Sequence, residues 1–461
     1  MIRYIGKSLS ERSLTVKINK KYFKIVWGAA AILYCLCLSS CASSNVEPAL
    51  AAVSASPMVT STPTPTPIPT PTPEPTEPPF EEYDITLMAL GDNLMHMGIV
   101  YTGQQADGSY DYSFLFENIT DFIDASDIRI INQETIMAGN QLGFSGFPRF
   151  NSPTEVGDAI AAAGFNVVLH ASNHTADKGL DGIKSCTAFW EKYPEILMVG
   201  MSGDTLKESV SDGDSEESRI PILTIGDITF AVLNYTYGPN METLPKTLMG
   251  HLNMLCNYDL DSGRIDFTTL NPQVIQDISE AKELADIVIV CPHWGTEYVT
   301  KPSRYQQAFA KEMADAGADL IIGTHPHVPQ PVEWIVTEDG HKTLCYYSLG
   351  NYASTQKQVI CMLEEMAWVT FHVTEDDVFI DEDSCGALPL VCHYRSGPVR
   401  FTGVYLLEDY TEDQAKSHGI WDYGGVALYL EDLQKYSEDI LGDMALTRSD
   451  ILGTDSAVSQ E

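Results

Sequence analysis

Two histidines stand one residue apart in Gly323-Thr324-His325-Pro326-His327, directly after the apolar run Ala318 to Ile322. Neutral imidazole is a common metal ligand, and two of them on one loop can turn toward a single ion or an ion pair. Four more stretches carry groups of the same kind: Asp92 after Gly91, Glu134 after Asn132-Gln133, Asn173 with His174, and His293 before Trp294. Carboxylate, amide oxygen and imidazole together make the ligand set of a hydrolytic di-metal centre. In such a centre a carboxylate bridges ions about 3.5–4 Å apart, which activate water and steady an oxyanion. Singly, each group has a plainer role: Asp92 as a turn cap, Asn173 as a turn former, Glu134 as a surface acid. Their joint occurrence at the ends of separate predicted strands favours a site.

The elements that must position these groups are legible as apolar runs alternating with amphipathic stretches. Strands are expected at Ile85–Leu90, Asp127–Asn132, Asn166–His170, Ile228–Tyr237, Asp286–Val290, Ala318–Ile322, Thr343–Leu349 and Met366–Val373. Helices are expected at Thr154–Gly164, Gly179–Tyr193, Pro272–Leu284 and Ser303–Ala316. Strand–helix alternation of this kind argues an α/β domain. In open α/β sheets, sites form beyond the carboxyl ends of the strands, and that is where the candidate ligands stand. Beyond residue 400 the pattern weakens to a strand at Val404–Leu407 and a helix at Ala427–Tyr436, and 448–461 reads as irregular. Ser202–Ser218, rich in acid, Ser and Gly, reads as an exposed insertion.

Residues 1–41 have a different character. A basic segment, Arg3 to Lys24, precedes the uncharged apolar run Ile25 to Ser40. That order is a secretory signal or an N-terminal anchor, with the positive flank in the cytoplasm and the following chain outside it. Leu38-Ser39-Ser40-Cys41 resembles the lipobox of bacterial lipoproteins, which implies cleavage before Cys41 and a lipid on its thiol. An uncleaved single helix is the alternative, and either form tethers the chain to the outer face of the cytoplasmic membrane. Residues 42–80 are a Pro/Thr-rich linker whose alternate prolines forbid helix and sheet and leave an extended, semi-rigid spacer. The domains expected are therefore 1–41, 42–80, a folded domain at 81–400 and a C-terminal extension at 401–461.

A formal charge of −37 disfavours nucleic acid as a partner. The ten cysteines form no Cys-x-x-Cys pair, so a zinc ribbon or thioredoxin-type site is not indicated. His170 sits in an apolar run and reads as a core histidine. Arg149, Lys301 and Arg304 have the chemistry to meet an anion but serve equally in plain salt bridges.

The ordered motifs carry a resemblance. They are Gly91-Asp92, Asn132-Gln133-Glu134, Ala171-Ser172-Asn173-His174 with Asp177 and Gly179, His293-Trp294-Gly295 with Glu297-Tyr298, the His325-Pro326-His327 loop with Gln330-Pro331 and Glu333, and Ser348-Leu349-Gly350-Asn351-Tyr352. From about residue 84 to 353 the chain resembles the CapA family, capsule (poly-γ-glutamate) biosynthesis proteins with a calcineurin-like metallophosphoesterase fold. The resemblance implies a four-layered α/β/β/α sandwich. It further implies that Asp92, Glu134, Asn173, His293, His325 and His327 line a site for one or two divalent ions, Mn, Fe or Zn. By the same resemblance His174 is the catalytic histidine beside the metal-bound asparagine, and Trp294 and Glu297 shape the pocket wall.

Two departures bear on the site. The wider fold usually begins Asp-x-His, whereas Asn93-Leu94 follow Asp92 here, and His96 can substitute only if its loop curls back. Ser172 stands where the family prefers Asn. One ion, or two held weakly, is the expectation. The leading functional expectation is a membrane-tethered protein outside the cytoplasm, working with an anionic polymer or its synthase complex in synthesis, export or attachment. A metal-dependent phosphoesterase and a non-catalytic assembly partner with a residual ion are the rivals.

Overall fold

In the computed structural model of the chain, the described residues are 80–204 and 219–453. The expected anchor with Cys41, nearly all of the linker, most of the acidic insertion and 454–461 lie outside them. The described residues belong to one compact unit, Glu77–Glu461.

The chain first lays down β1 (Tyr83–Asn93), β2 (Ile128–Asn132), β3 (Val167–Leu169) and β4 (Leu197–Val199). These run parallel, with the helices Glu155–Ala163 and Gly179–Trp190 as crossovers. A second series follows: β5 (Ile222–Ile225), β6 (Ile228–Thr236), the hairpin β7 (Cys256–Tyr258) and β8 (Ile265–Leu270), β9 (Ile287–His293), β10 (Leu320–Ile322), β11 (Pro329–Val336) and β12 (Lys342–Leu349). Helices Pro272–Leu284 and Arg304–Asp315 cross between its parallel strands. The chain then returns to the first sheet with β13 (Asn351–Ala353), β14 (Leu363–Val373), β15 (Val378–Arg395) and β16 (Arg400–Leu406). The first sheet has the order β16-β15-β14-β1-β2-β3-β4 with β13 beside β1, and the second the order β11-β12-β10-β9-β6-β5.

Side-chain alternation along each strand builds the layers. In β1, Leu87 and Ala89 join one buried cluster with Phe230, Val232, Ile289 and Tyr346 of the other sheet. Met88 and Leu90 point the other way, into a cluster with Val156, Ile160 and Ile183 of the crossover helices. The two sheets touch directly. The rings of Phe230 and Phe371 are 5.2 Å apart, and the Tyr346 hydroxyl donates to the carbonyls of Trp368 and Gly386. Val274, Ile278 and Met313 cover the outer face of the second sheet. The architecture is thus the α/β/β/α sandwich. Strands buried on both faces read as continuous apolar runs, which is why they stood out in the sequence.

Helix starts follow local chemistry. Asn271 caps Pro272–Leu284 by accepting from the Gln273 N–H, and Ser303 with Gln306 forms a capping box on Arg304–Asp315. The residues after 400 are more ordered than expected. The strand there is β16, Arg400–Leu406, and the helix is Leu430–Leu441. Residues Arg448–Leu452 form a short helix capped by Thr447 rather than irregular chain. The seven cysteines among the described residues are buried and unpaired. Among the described residues, no helix is long and apolar enough to cross a membrane.

Candidate metal centre

Parallel strands of both sheets end at one edge, and their termini carry the donors. Asp92 lies at the end of β1, Glu134 two residues past β2, Asn173 and His174 in the turn after β3, His293 at the last position of β9, and His325 and His327 after β10. The main chain at the last loop is fixed tightly. A Cβ on Gly323 would stand 2.1 Å from the Tyr347 carbonyl oxygen and 2.5 Å from the Trp294 indole nitrogen. Only glycine fits there. His325 and His327 then adopt φ of 99° and 60°, a region that non-glycine residues seldom occupy and that clusters at functional sites. The His325 N–H donates to Asp92 Oδ2 at 3.2 Å, which holds this turn against the other sheet.

All six expected metal donors meet. Asp92 accepts from Asn132 Nδ2 at 2.7 Å and lies 3.0 Å from His327 Nδ1. His293 Nε2 is 3.0 Å from Asn173 Oδ1, and its Nδ1 is 2.9 Å from Thr324 Oγ1. Because an amide oxygen only accepts, Nε2 is the donor in the first contact of the metal-free ring; as a ligand, Nε2 would give up that proton and Nδ1–H would donate to Thr324 Oγ1 instead. Glu134 lies 3.8 Å from His327 Nδ1, 3.9 Å from His293 Nε2 and 4.0 Å from His174 Nε2. Two groups of three donors result, Asp92–Glu134–His327 and Glu134–His293–His325, each with its ligand atoms within 4.8 Å of one another. Glu134 belongs to both, as a bridging carboxylate would.

The electrostatics fit a cation. Glu134 is fully buried, and neither of its carboxylate oxygens has a hydrogen-bond partner. The buried His325 Nδ1 is likewise unpartnered. Burial and the nearby Asp92 charge hold the Glu134 carboxyl well above its ordinary range. Burial holds His293 and His325 well below theirs, so both are neutral and available as ligands. Burial also works to lower His327, but the carboxylates of Glu134 and Asp92 outweigh it and raise this imidazole to about 9. An unpaired buried carboxylate is costly, and a divalent ion would relieve that cost. These donors fit one divalent ion or two.

The remaining expected residues divide. His174 pairs through Nδ1 with Asp177 Oδ2 at 2.7 Å and turns Nε2 toward Glu134. Trp294 is buried, its indole N–H donates to the Tyr347 carbonyl, and it lines a cavity of about 400 Å³ with Tyr237 and Phe267. Glu297 is exposed, and its carboxylate forms a third donor group with His325 and His327. His96 stands just before the helix Met97–Gly103 without capping it through its side chain, and its Nδ1 accepts from the Thr355 N–H at 3.3 Å. It belongs to none of the three donor groups among the described residues. His170 accepts from the Trp190 indole at 2.8 Å, as a satisfied core histidine does.

The model of the bacterial capsule synthesis protein PGA_cap matches residues 86–356. The chain belongs to this family. It is 27% identical over 310 residues to the capsule biosynthesis protein CapA of Bacillus anthracis, covering 65% of this chain and 66% of that protein. It is 32% identical over 194 residues to the PGA biosynthesis protein CapA of Bacillus subtilis (strain 168), covering 42% of this chain and 43% of that one. The chain therefore spans somewhat less than two thirds of the length of the first relative and under half that of the second. An uncharacterized protein of Sinorhizobium fredii, y4sH, is 21% identical over 322 residues, covering 58% of this chain and 65% of that one.

Every donor of the site lies within the stretch that matches the capsule synthesis family. Sequence reasoning left three supporting residues without a role. Asn132 orients Asp92, Thr324 orients His293, and Asp177 holds His174. Asn132 and Asp177 stood inside the motifs, and Thr324 sat between Gly323 and His325. Tyr237, whose ring is 4.7 Å from that of His325, had no such signal.

Proposed function

We propose that this chain works at the cell envelope in the synthesis, export or attachment of an anionic capsule polymer such as poly-γ-glutamate. In this reading the N-terminal segment tethers it to the cytoplasmic membrane, by a lipid on Cys41 or by a single helix, with the domain facing outward. Its partners are the polymer or the complex that makes it. The observation that carries the reading is the family match over residues 86–356, and the relatives' names for capsule and PGA biosynthesis agree with it.

A second reading concerns the chemistry of the site and rests on Glu134 being shared between two buried donor groups. It is metal-dependent hydrolysis of an envelope phosphoester. Bound divalent ions would supply an activated water and a polarised phosphoryl oxygen. Asp92, Glu134, Asn173, His293, His325 and His327 would hold them. His174, with Nδ1–H donated to Asp177, keeps Nε2 beside the centre, where it can take a proton from water and, as the imidazolium so formed, give it to a leaving oxygen or bind an oxyanion.

The test is deletion of the gene, with complementation by the parent chain and by a His325→Ala/His327→Ala double variant. Surface polymer should be lost on deletion and restored by the parent only. Unchanged polymer after deletion would end the capsule role. A phosphoester panel with Mn²⁺, Zn²⁺, Fe²⁺ and Mg²⁺ then tests the second reading, and absence of turnover would count against it.

A further inference from the structure

The usual Asp-x-His pattern is broken after Asp92, so one imidazole ligand is missing from the first ion's expected set. His96 does not replace it: its Nδ1 accepts from the Thr355 N–H, and it belongs to none of the donor groups among the described residues. The structure places another donor at the same two histidines. The carboxylate of Glu297 has its ligand atom within 4.8 Å of those of His325 and His327, which are in turn shared with the two buried groups.

Glu297 is held there by its backbone. Gly295 and Tyr298, on either side of it, adopt φ of 100° and 64°, and a side chain rarely tolerates the second value. The Tyr298 N–H donates to the Pro326 carbonyl at 2.8 Å, which fastens this loop to the peptide between the two histidines. One residue further, the Val299 carbonyl accepts from Gln330 Nε2 at 2.7 Å, and Gln330 accepts from Gln306 Nε2 at 2.7 Å. The loop after β9 is therefore anchored between the two histidines, at Pro326, and again beyond them, at Gln330 of β11. Within the set, His325 Nδ1 is buried and without a partner, as are both oxygens of Glu134.

We infer that Glu297 is a metal ligand rather than part of a pocket wall, closing the centre from the solvent side at His325 and His327. The inference rests on the metal-centre reading above. It makes the donor set richer in oxygen, with carboxylates from Asp92, Glu134 and Glu297, which suits hard ions such as Mn²⁺ over Zn²⁺.

The experiment uses the full-length chain purified in mild detergent, stripped with chelator and titrated with Mn²⁺. Bound metal is read by elemental analysis, affinity by calorimetry and ion pairing by electron paramagnetic resonance. The variants are Glu297→Gln and the His325→Ala/His327→Ala control. The parent is expected to bind Mn²⁺ and the control to lose it. Glu297→Gln should weaken at least one ion by about tenfold or more, the lower end of what even outer-sphere changes cost, while its metal-free unfolding temperature stays that of the parent. Glu297→Gln binding with the parent's stoichiometry and affinity would overturn the inference and leave the metal centre standing. A parent that binds no ion would overturn the metal centre itself, and the inference with it. Should Glu297→Gln not fold, Glu297→Asp takes its place, with a shortened carboxylate expected to weaken binding and unchanged binding again overturning the role.

Discussion

The Nδ1 atom of His174 lies 2.7 Å from Oδ2 of Asp177, and that same oxygen accepts the Phe150 N–H at 2.6 Å. The Phe150 and His174 rings meet in a T-shaped contact, 4.6 Å between centroids. One carboxylate thus fixes both the tautomer of His174 and the loop that covers it. On the phosphoesterase reading, Asp177→Asn should leave metal content at the parent level while reducing turnover by about 10²-fold or more, the scale of a lost general acid. Loss of tautomer order, read by ¹⁵N shifts of the His174 ring, separates this positioning role from a general loss of fold. Unchanged ring shifts would contradict it.

Proton competition at His327 gives a second expectation. In the metal-free protein, burial opposes charging this ring, but Glu134 and Asp92 raise it to about 9. Below that value the ring carries a proton, which an incoming ion must displace. Affinity at this position should rise with pH, by about tenfold per unit between neutrality and about 9, and then level off. Calorimetry in buffers of differing ionisation enthalpy should show net proton release on ion binding at pH 7, from His327 and from whatever proton Glu134 holds. A pH-independent affinity would show that His327 is not displaced.

The third expectation concerns stability. Glu365 on β14 is buried, its Oε2 lacks a partner, and burial alone pushes its carboxyl well above the ordinary range. A native value above the unfolded one means that the folded protein holds the proton more tightly. Its contribution favours folding at low pH and is lost as pH rises from about 4.3 through the native value. Glu365→Gln should therefore stabilise the protein at pH 8 by about 1.4 kcal/mol or more, since the amide never has to ionise in the buried site. The gain should shrink toward pH 4–5. Urea unfolding at both pH values measures it, and a gain equal at the two would refute the assignment.

Much of the architecture was legible because its central strands are buried on both faces. Asp286–Val290 and Ala318–Ile322 read as short apolar runs ahead of polar residues, and they are the cores of β9 and β10. The helix Pro272–Leu284 was legible to the residue, since Asn271 and Pro272 mark its start. β15 was not. Its stretch carries Asp381, Glu382 and Asp383, then Gly386 and Pro389, all poor strand formers. Pairing with β14 on one side and β16 on the other makes it a strand.

The sequence by itself determined which donor types exist and that each follows a strand, because hydrophobic period and turn residues are local properties. It also carried the family's ordered motifs. Only the tertiary structure decided which donors meet. Asp92 and His327 are 235 positions apart, and Asn173 and His293 are 120 apart. Their contact depends on two sheets packing face to face so that both present their carboxyl ends at one edge. The same packing left His96 out of the donor groups and brought Glu297 in. The physical reason is that a ligand's place is set by the backbone that holds it. Here the Pro326–Tyr298 hydrogen bond and the positive φ angles of His325, His327 and Tyr298 exist only once loops from separate strands are pressed together.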